Sequence, residues 1–201
     1  MSNLETNIIV VGYVGIKGTE EILIKKKENL LARFSLNFYK TKFKEIEDIE
    51  NKTKIINKKI LTNLDLIKYD KNQIPAIYEI KKGGFLSTLW DMSIIMNSGL
   101  EYELLKIPIL QTTIEVSEFF NINPYRLYSE KSYIILTEKK YEYIDFLYNM
   151  LSDEVPISIV GKLKKGKSKR RIDSEGMTFL TKDYKDEIDK IILNYTKGKN
   201  K

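Results

Sequence analysis

A glutamate, two lysines and a glycine pair stand close together at Glu79, Lys81, Lys82, Gly83 and Gly84, just ahead of apolar residues at helical spacing. Backbone N–H groups at a glycine-rich entry to a helix can hold a phosphate, because they and the helix dipole both favour an anion. Lys81 and Lys82 would add positive charge. A glycine pair serves equally well as a tight turn, since glycine reaches positive φ without strain. Glu79 could bind a cation, but a single carboxylate without partners is more often solvated or salt-bridged. No metal site and no catalytic residue is therefore assigned.

The second place where charge gathers is the run Lys162, Lys164, Lys165, Lys167, Lys169, Arg170 and Arg171. Such a run could meet nucleic acid or a phosphorylated ligand. It holds no interleaved aromatic for base stacking, and lysine reads base edges poorly. The expectation is a solvated turn, with nucleic-acid binding ranked last among the functions considered.

Composition excludes more than these runs suggest. The 201 residues contain no histidine and no cysteine. Ser-His-Asp and Cys-His hydrolysis, disulfide frameworks and thiolate metal sites are thereby excluded. The net charge is +6, yet arginine occurs only at 33, 126, 170 and 171. This basicity reads as a lysine-rich composition rather than a dedicated polyanion site. The opening MSNLETNIIVVGYVG reads as a strand and not as a signal peptide, no window is apolar enough to span a membrane, and a cytoplasmic location is expected.

The elements that must position these residues follow from apolar spacing. Ile8–Val11 is a β-branched run ending at Gly12, and a helix with Thr19 as N-cap is expected to reach about Phe34. Apolar positions between Thr41 and Lys59 suggest one or two surface helices, and Leu61–Asn72 has no clear assignment. Ile74–Ile80 reads as a strand with Pro75 at its beginning or edge. Phe85 to about Asn97 reads as a helix with Leu86, Leu89, Trp90 and Ile94 buried and Gly99 as its stop. Leu100–Ile107, Tyr133–Thr137 and Val155–Leu163 read as strands. Helices are expected from Thr112 or Thr113 through Phe120, from Lys139 to about Leu151, and from Tyr184 to Leu193. Arg170–Ile172 and Met177–Leu180 could form a closing hairpin. Trp90 and the pair Phe119–Phe120 are expected in the core, and Tyr125 could line an interface. The alternation predicts one α/β (α+β) domain over residues 1–201, with its core at about 7–195 and a basic flexible tail at 196–201.

Three segments carry a resemblance. They are GYVGIKGTEEILIKKKENLLARF at 12–34, YEIKKGGFLSTLWDM at 78–92 and IPILQTTIEVSEFFNINPYRL at 107–127. In this order they resemble the C-terminal domain of the aminoimidazole-ribonucleotide-synthase-related family. That family includes selenophosphate synthetase, thiamine-monophosphate kinase and the hydrogenase maturation dehydratase, and the hydrogenase-maturation branch matches best. The resemblance implies a three-layer α/β/α fold with a mixed sheet of five or six strands. It also implies that the half with the acidic, glycine-rich magnesium–ATP loop is missing, since about six residues precede the first strand.

This sequence departs from the family pattern at its polar motif. Tyr78, Glu79 and Lys81 stand where the resemblance expects histidine, aspartate and threonine, and Lys131 stands in place of a glycine in the turn before Tyr133. The tail ends KGKNK without the family's cysteine. The resemblance thus implies a weak ligand-binding set of Glu79, Lys81, Gly83, Gly84 and Ser129. It implies no cofactor, with ATP and magnesium entering only through a partner domain. The function expected is a degenerate domain that binds or assembles without catalysis of its own, as a homodimer or with a separate protein of the N-terminal type. The alternative is one half of a split ATP-dependent synthetase or hydrogenase-maturation-type enzyme.

Overall fold

The computed structural model describes residues 5–62, 76–151, 155–174, 176–183 and 185–197. Strand β1 (Asn7–Val11) leads to helices α1 (Ile16–Lys25), α2 (Lys27–Leu31) and α3 (Leu36–Thr62). Then come β2 (Ala76–Glu79), α4 (Gly84–Ile95), β3 (Gly99–Tyr102), a 3-10 turn at Leu104–Lys106, α5 (Gln111–Phe119) and a second 3-10 turn at Pro124–Arg126. The chain closes with β4 (Tyr133–Thr137), α6 (Lys140–Leu151), β5 (Ile157–Lys164), β6 (Lys169–Asp173), β7 (Gly176–Phe179) and α7 (Glu187–Lys197).

All seven strands form one sheet in the order β2-β4-β1-β5-β3-β6-β7. Every pairing is antiparallel except β3 with β6, so the sheet is mixed. The interior position of β1 and β4 follows from their composition. NIIVV and YIILT are apolar on both faces, and a strand of that kind is stable only where both faces are covered.

Alternate residues of these strands meet different helices. Ile8, Val10, Ile134, Leu136, Leu100 and Tyr102 pack with Phe85, Leu89 and Met92 of α4 on one face. Ile9, Val11, Tyr133, Ile135 and Ile77 pack with Leu147 and Leu151 of α6 and Ile60 of α3 on the other. Each large apolar side chain so buried contributes about 1.5–3 kcal/mol relative to exposure. A third cluster joins Ile22 and Leu23 of α1, Leu30 of α2, Ile46 of α3, Val116 of α5 and Ile188 of α7. Helices on both faces of a mixed sheet are the layered architecture that the motifs implied.

Several local expectations are corrected. The sheet has seven strands rather than five or six, because the closing hairpin β6–β7 joins it through β3. The first helix starts at Ile16 behind Gly15, whose φ is 76°, and not at Thr19. The Thr19 hydroxyl instead donates within the first turn to Gly15 O, 2.8 Å away. That helix also ends early, at Lys25, and α2 restarts after Lys26, whose φ of −120° and ψ of 24° are not helical. The 41–59 region is part of a single 27-residue helix. Gly99 does not stop α4. Asn97 takes the positive φ there, and Gly99 opens β3, where a Cβ would sit 2.5 Å from the Ser168 carbonyl. The stretch 100–107 leaves extended geometry after Glu103 for a 3-10 turn at Leu104–Lys106. Ile94 and Phe119 face solvent rather than the core, while Tyr125 packs against the α4-side cluster. The unassigned stretch 63–72, Ile74, Pro75, the Tyr184 helix start and tail residues 198–201 lie outside the described residues.

Candidate functional site

Antiparallel pairing brings four strand ends to one edge of the sheet. Tyr133 at the start of β4 faces both Val11 at the end of β1 and Glu79 at the end of β2, and Val11 also faces Ile157. The loops leaving this edge therefore converge: 12–15, 80–83 and 127–132. Hydrogen bonds fix them to one another. Ile80 N–H donates to Ser132 O at 2.8 Å, the Ser132 hydroxyl donates to Tyr13 O at 2.6 Å, and Gly15 N–H donates to the Ser129 hydroxyl at 2.7 Å.

Four of the five candidate residues lie together along 79–84, and the fifth, Ser129, donates its N–H to Lys81 O at 3.5 Å. Glu79 pairs with Lys81 at 3.2 Å and accepts the Lys131 N–H at 3.4 Å. Gly83 and Gly84 follow at the entry to α4, with φ of 82° and 67°. Ser129 is fully buried, so its hydroxyl braces the Gly15 loop from inside. Of the five candidates, the side chains open at the surface are thus Glu79 and Lys81.

The glycine pair is committed within the chain. Gly83 N–H donates to Asp186 Oδ2 at 2.8 Å, and Gly84 N–H donates to Lys81 O at 3.1 Å. A Cβ on Gly84 would lie 2.7 Å from the Tyr125 carbonyl oxygen and 2.7 Å from the Arg126 carbonyl carbon. Glycine here lets α4 seat directly on the backbone of the Pro124–Arg126 turn.

Asp186 is the residue that sequence reasoning missed. Its carboxylate is buried and accepts three amides, from Gly83, from Tyr128 at 3.1 Å and from Ile188 at 3.0 Å. Burial pushes its carboxyl above the usual carboxylate range, against the three donors that pull the other way. The available signal was an aspartate one residue before a helix, the usual N-cap position. Beginning the helix at Tyr184 hid it.

Charge around the edge is balanced by pairing. Lys131 Nζ lies 2.9 Å from Glu50 Oε2 of α3, a carboxylate almost sealed from solvent. The Tyr128 hydroxyl donates to Glu130 Oε1; that bond, with lesser help from burial, pushes the phenol up to about 12. Lys17 is held above its ordinary value by its hydrogen bond to Glu20. Among the described residues no group of three or more acidic, histidine or cysteine side chains is placed to hold a metal.

Five of the seven cations in the basic run of 162–171 meet partners within the chain, while Lys165 and Lys167 stand exposed. Lys162 pairs with Glu5 at 2.7 Å, Lys164 and Arg170 both pair with Glu101, and Arg171 pairs with Asp173 at 2.8 Å. Lys169 lies buried with its ammonium 4.5 Å from the centre of the Trp90 ring. Most of the run is thus tied into the sheet, and its exposed lysines lie in the turn between β5 and β6.

Comparison with known proteins reaches the fold and no further. No protein-family model matches the sequence, and no match was found among curated proteins. Solved structures do match. E. coli HypE, a hydrogenase maturation protein, aligns with a TM-score of 0.61 at 13% identity, over 91% of this chain and 51% of that one. HypE in complex with ATP aligns with a TM-score of 0.62 at 14% identity, over 91% and 52%. Thiamine monophosphate kinase from Aquifex aeolicus aligns with a TM-score of 0.51 at 13% identity, over 87% and 52%. The chain thus spans about half the length of the solved structures it matches, and over that half it has the fold that HypE and thiamine monophosphate kinase share, as the three sequence motifs implied.

Proposed function

We propose that this chain is a binding and assembly module without catalysis of its own, acting in the cytoplasm through the loop edge that carries Glu79, Lys81 and Lys131. One observation supports this above the others. The Gly83 N–H, the amide at the entry to α4 that an incoming phosphate would use, is bonded to the Asp186 carboxylate. An internal anion stands where a ligand anion would be bound, so the glycine turn as it stands does not fit a nucleotide phosphate. The absence of histidine and cysteine from the sequence removes the commonest general base and nucleophile. Ser129, the remaining hydroxyl of the candidate set, is buried beneath the Gly15 loop.

The test is nucleotide hydrolysis by the purified chain with magnesium. No turnover above the blank is expected, and clear turnover would defeat the proposal.

A second reading is favoured by the likeness to HypE in complex with ATP over about half of that chain. On it, this chain is one part of an ATP-dependent synthetase or hydrogenase-maturation-type enzyme, completed by a protein of the N-terminal type that brings the magnesium–ATP loop. Mixing with such a protein should then produce hydrolysis that neither component has alone, and substitution of Lys81 should reduce it. Activity indifferent to Lys81 would remove the loop edge from that reading.

A further inference from the structure

We infer that the outer edge of β7 is a self-association surface, through which two copies of this chain join their sheets about a two-fold axis centred on Thr178. β7 is the last strand of the sheet, and all four of its residues are exposed. Its open face carries Phe179 at 67% exposure, Met177 at 51% and, across the hairpin, Ile172 at 38%. The strand Gly-Met-Thr-Phe contains neither lysine nor proline, the residues by which proteins usually blunt an exposed edge.

The register follows from the hydrogen bonds. Leu180 N–H donates to Lys169 O at 2.9 Å, which places position 180 among those bonded to β6. Bonding alternates along an antiparallel pair. Positions 178 and 176 therefore also turn toward β6, and the N–H and C=O groups of Met177 and Phe179 point outward. An antiparallel second copy uses all of these groups in one register, with Met177 opposite Phe179 of the other copy, twice, and Thr178 opposite Thr178.

Side chains suit that register. Met177 and Phe179 occupy the face away from α4, so each copy sets a thioether beside the other's ring, a favourable contact. A two-fold contact of this kind is self-complementary and closes at two copies.

This inference deepens the assembly reading above by naming the surface, and its test separates the two. Mass in solution is measured by sedimentation over a wide concentration range for the wild type, for Phe179→Lys and for Thr178→Cys in this otherwise cysteine-free chain. The wild type is expected to double its mass as concentration rises, and Phe179→Lys to stay at the single-chain mass with an unchanged melting temperature. The Thr178→Cys protein should form a covalent dimer under mild oxidation, because facing residues at a non-hydrogen-bonded position lie within disulfide reach. A wild type that remains single at every concentration overturns the inference. So does a dimer that survives Phe179→Lys and gives no cross-link, although such a dimer leaves assembly as a function intact.

Discussion

Asp186 Oδ2 accepts the N–H of Gly83 at 2.8 Å across 103 residues of chain. Oδ1 of the same carboxylate accepts the amides of Tyr128 and Ile188. One buried side chain thus ties the entry of α4, the loop before β4 and the start of α7. Asp186→Ala leaves three amides without that acceptor, and a loss of about 2–4 kcal/mol is expected. It should be read as a lower denaturant midpoint at unchanged slope. Wild-type stability in the alanine variant would mean that the three bonds are dispensable.

The same carboxylate predicts a pH dependence of unusual sign for an aspartate. Burial raises its native-state carboxyl above the ordinary value, so the folded chain holds that proton more tightly than the unfolded chain does. The stability this contributes is fully present below the ordinary carboxylate range and is lost as pH rises through the raised value. Denaturation of the wild type and of Asp186→Asn, compared from about pH 4 to about pH 7, should show the wild type losing ground as pH rises. A gap moving in the wild type's favour would contradict the assignment.

How legible this was depended on the range of the interactions involved. β1 and β4 could be read directly, since Ile8–Val11 and Tyr133–Thr137 are continuous apolar runs and only a buried central strand suits them. The Gly83–Gly84 turn into a helix was legible for the same local reason. What those glycines do was not, because the groups against them, Asp186 and the Tyr125–Arg126 backbone, are distant in sequence. The stop of α4 was misread because Asn97 can adopt positive φ almost as a glycine does, which left Gly99 free for a tight strand crossing. The pairing of the basic run was not legible either, because two of its counter-charges, Glu5 ahead of β1 and Glu101 in β3, are distant in sequence.

Gly84 and Gly166 separate conformational cost from steric cost. Both have positive φ, 67° and 86°, but a Cβ on Gly166 would meet nothing within 4 Å. Gly166→Ala should therefore lose only about 1 kcal/mol for the left-handed backbone. Gly84→Ala must in addition push α4 off the Pro124–Arg126 turn, and a total of about 3 kcal/mol or more is expected. Thermal unfolding of the two variants decides it, and equal shifts would count against the close approach.

Tyr102 makes the alkaline limit of the fold testable. It lies on the α4 side of β3, edge-on to Phe85, and burial pushes its phenol up to about 12. The native state therefore keeps its proton where an unfolded tyrosine begins to lose it. The corresponding stability is present below about pH 10 and disappears as pH climbs toward about 12. Tyr102→Phe should unfold at higher pH than the wild type while differing little from it at neutral pH. Coincident alkaline transitions would show that another group governs that limit.

Lys131 sets two effects of opposite sign against each other. Its φ is 56°, a left-handed conformation in the position where the family resemblance expects glycine, and the strain costs about 1 kcal/mol. Its ammonium, however, is the partner of Glu50, whose carboxylate is only 9% exposed. Lys131→Gly relieves the backbone but strands a buried charge, a loss of about 1–3 kcal/mol for a pair that water still reaches from the lysine side. The single variant is expected to be less stable than the wild type. Once Glu50→Gln has removed the charge, the same glycine should become neutral or stabilising by up to about 1 kcal/mol. A double-mutant cycle measures the difference directly. If Lys131→Gly has the same effect with Glu50 and with Gln at position 50, the ion pair holds nothing, and the lysine must be explained by the ligand side of the loop edge.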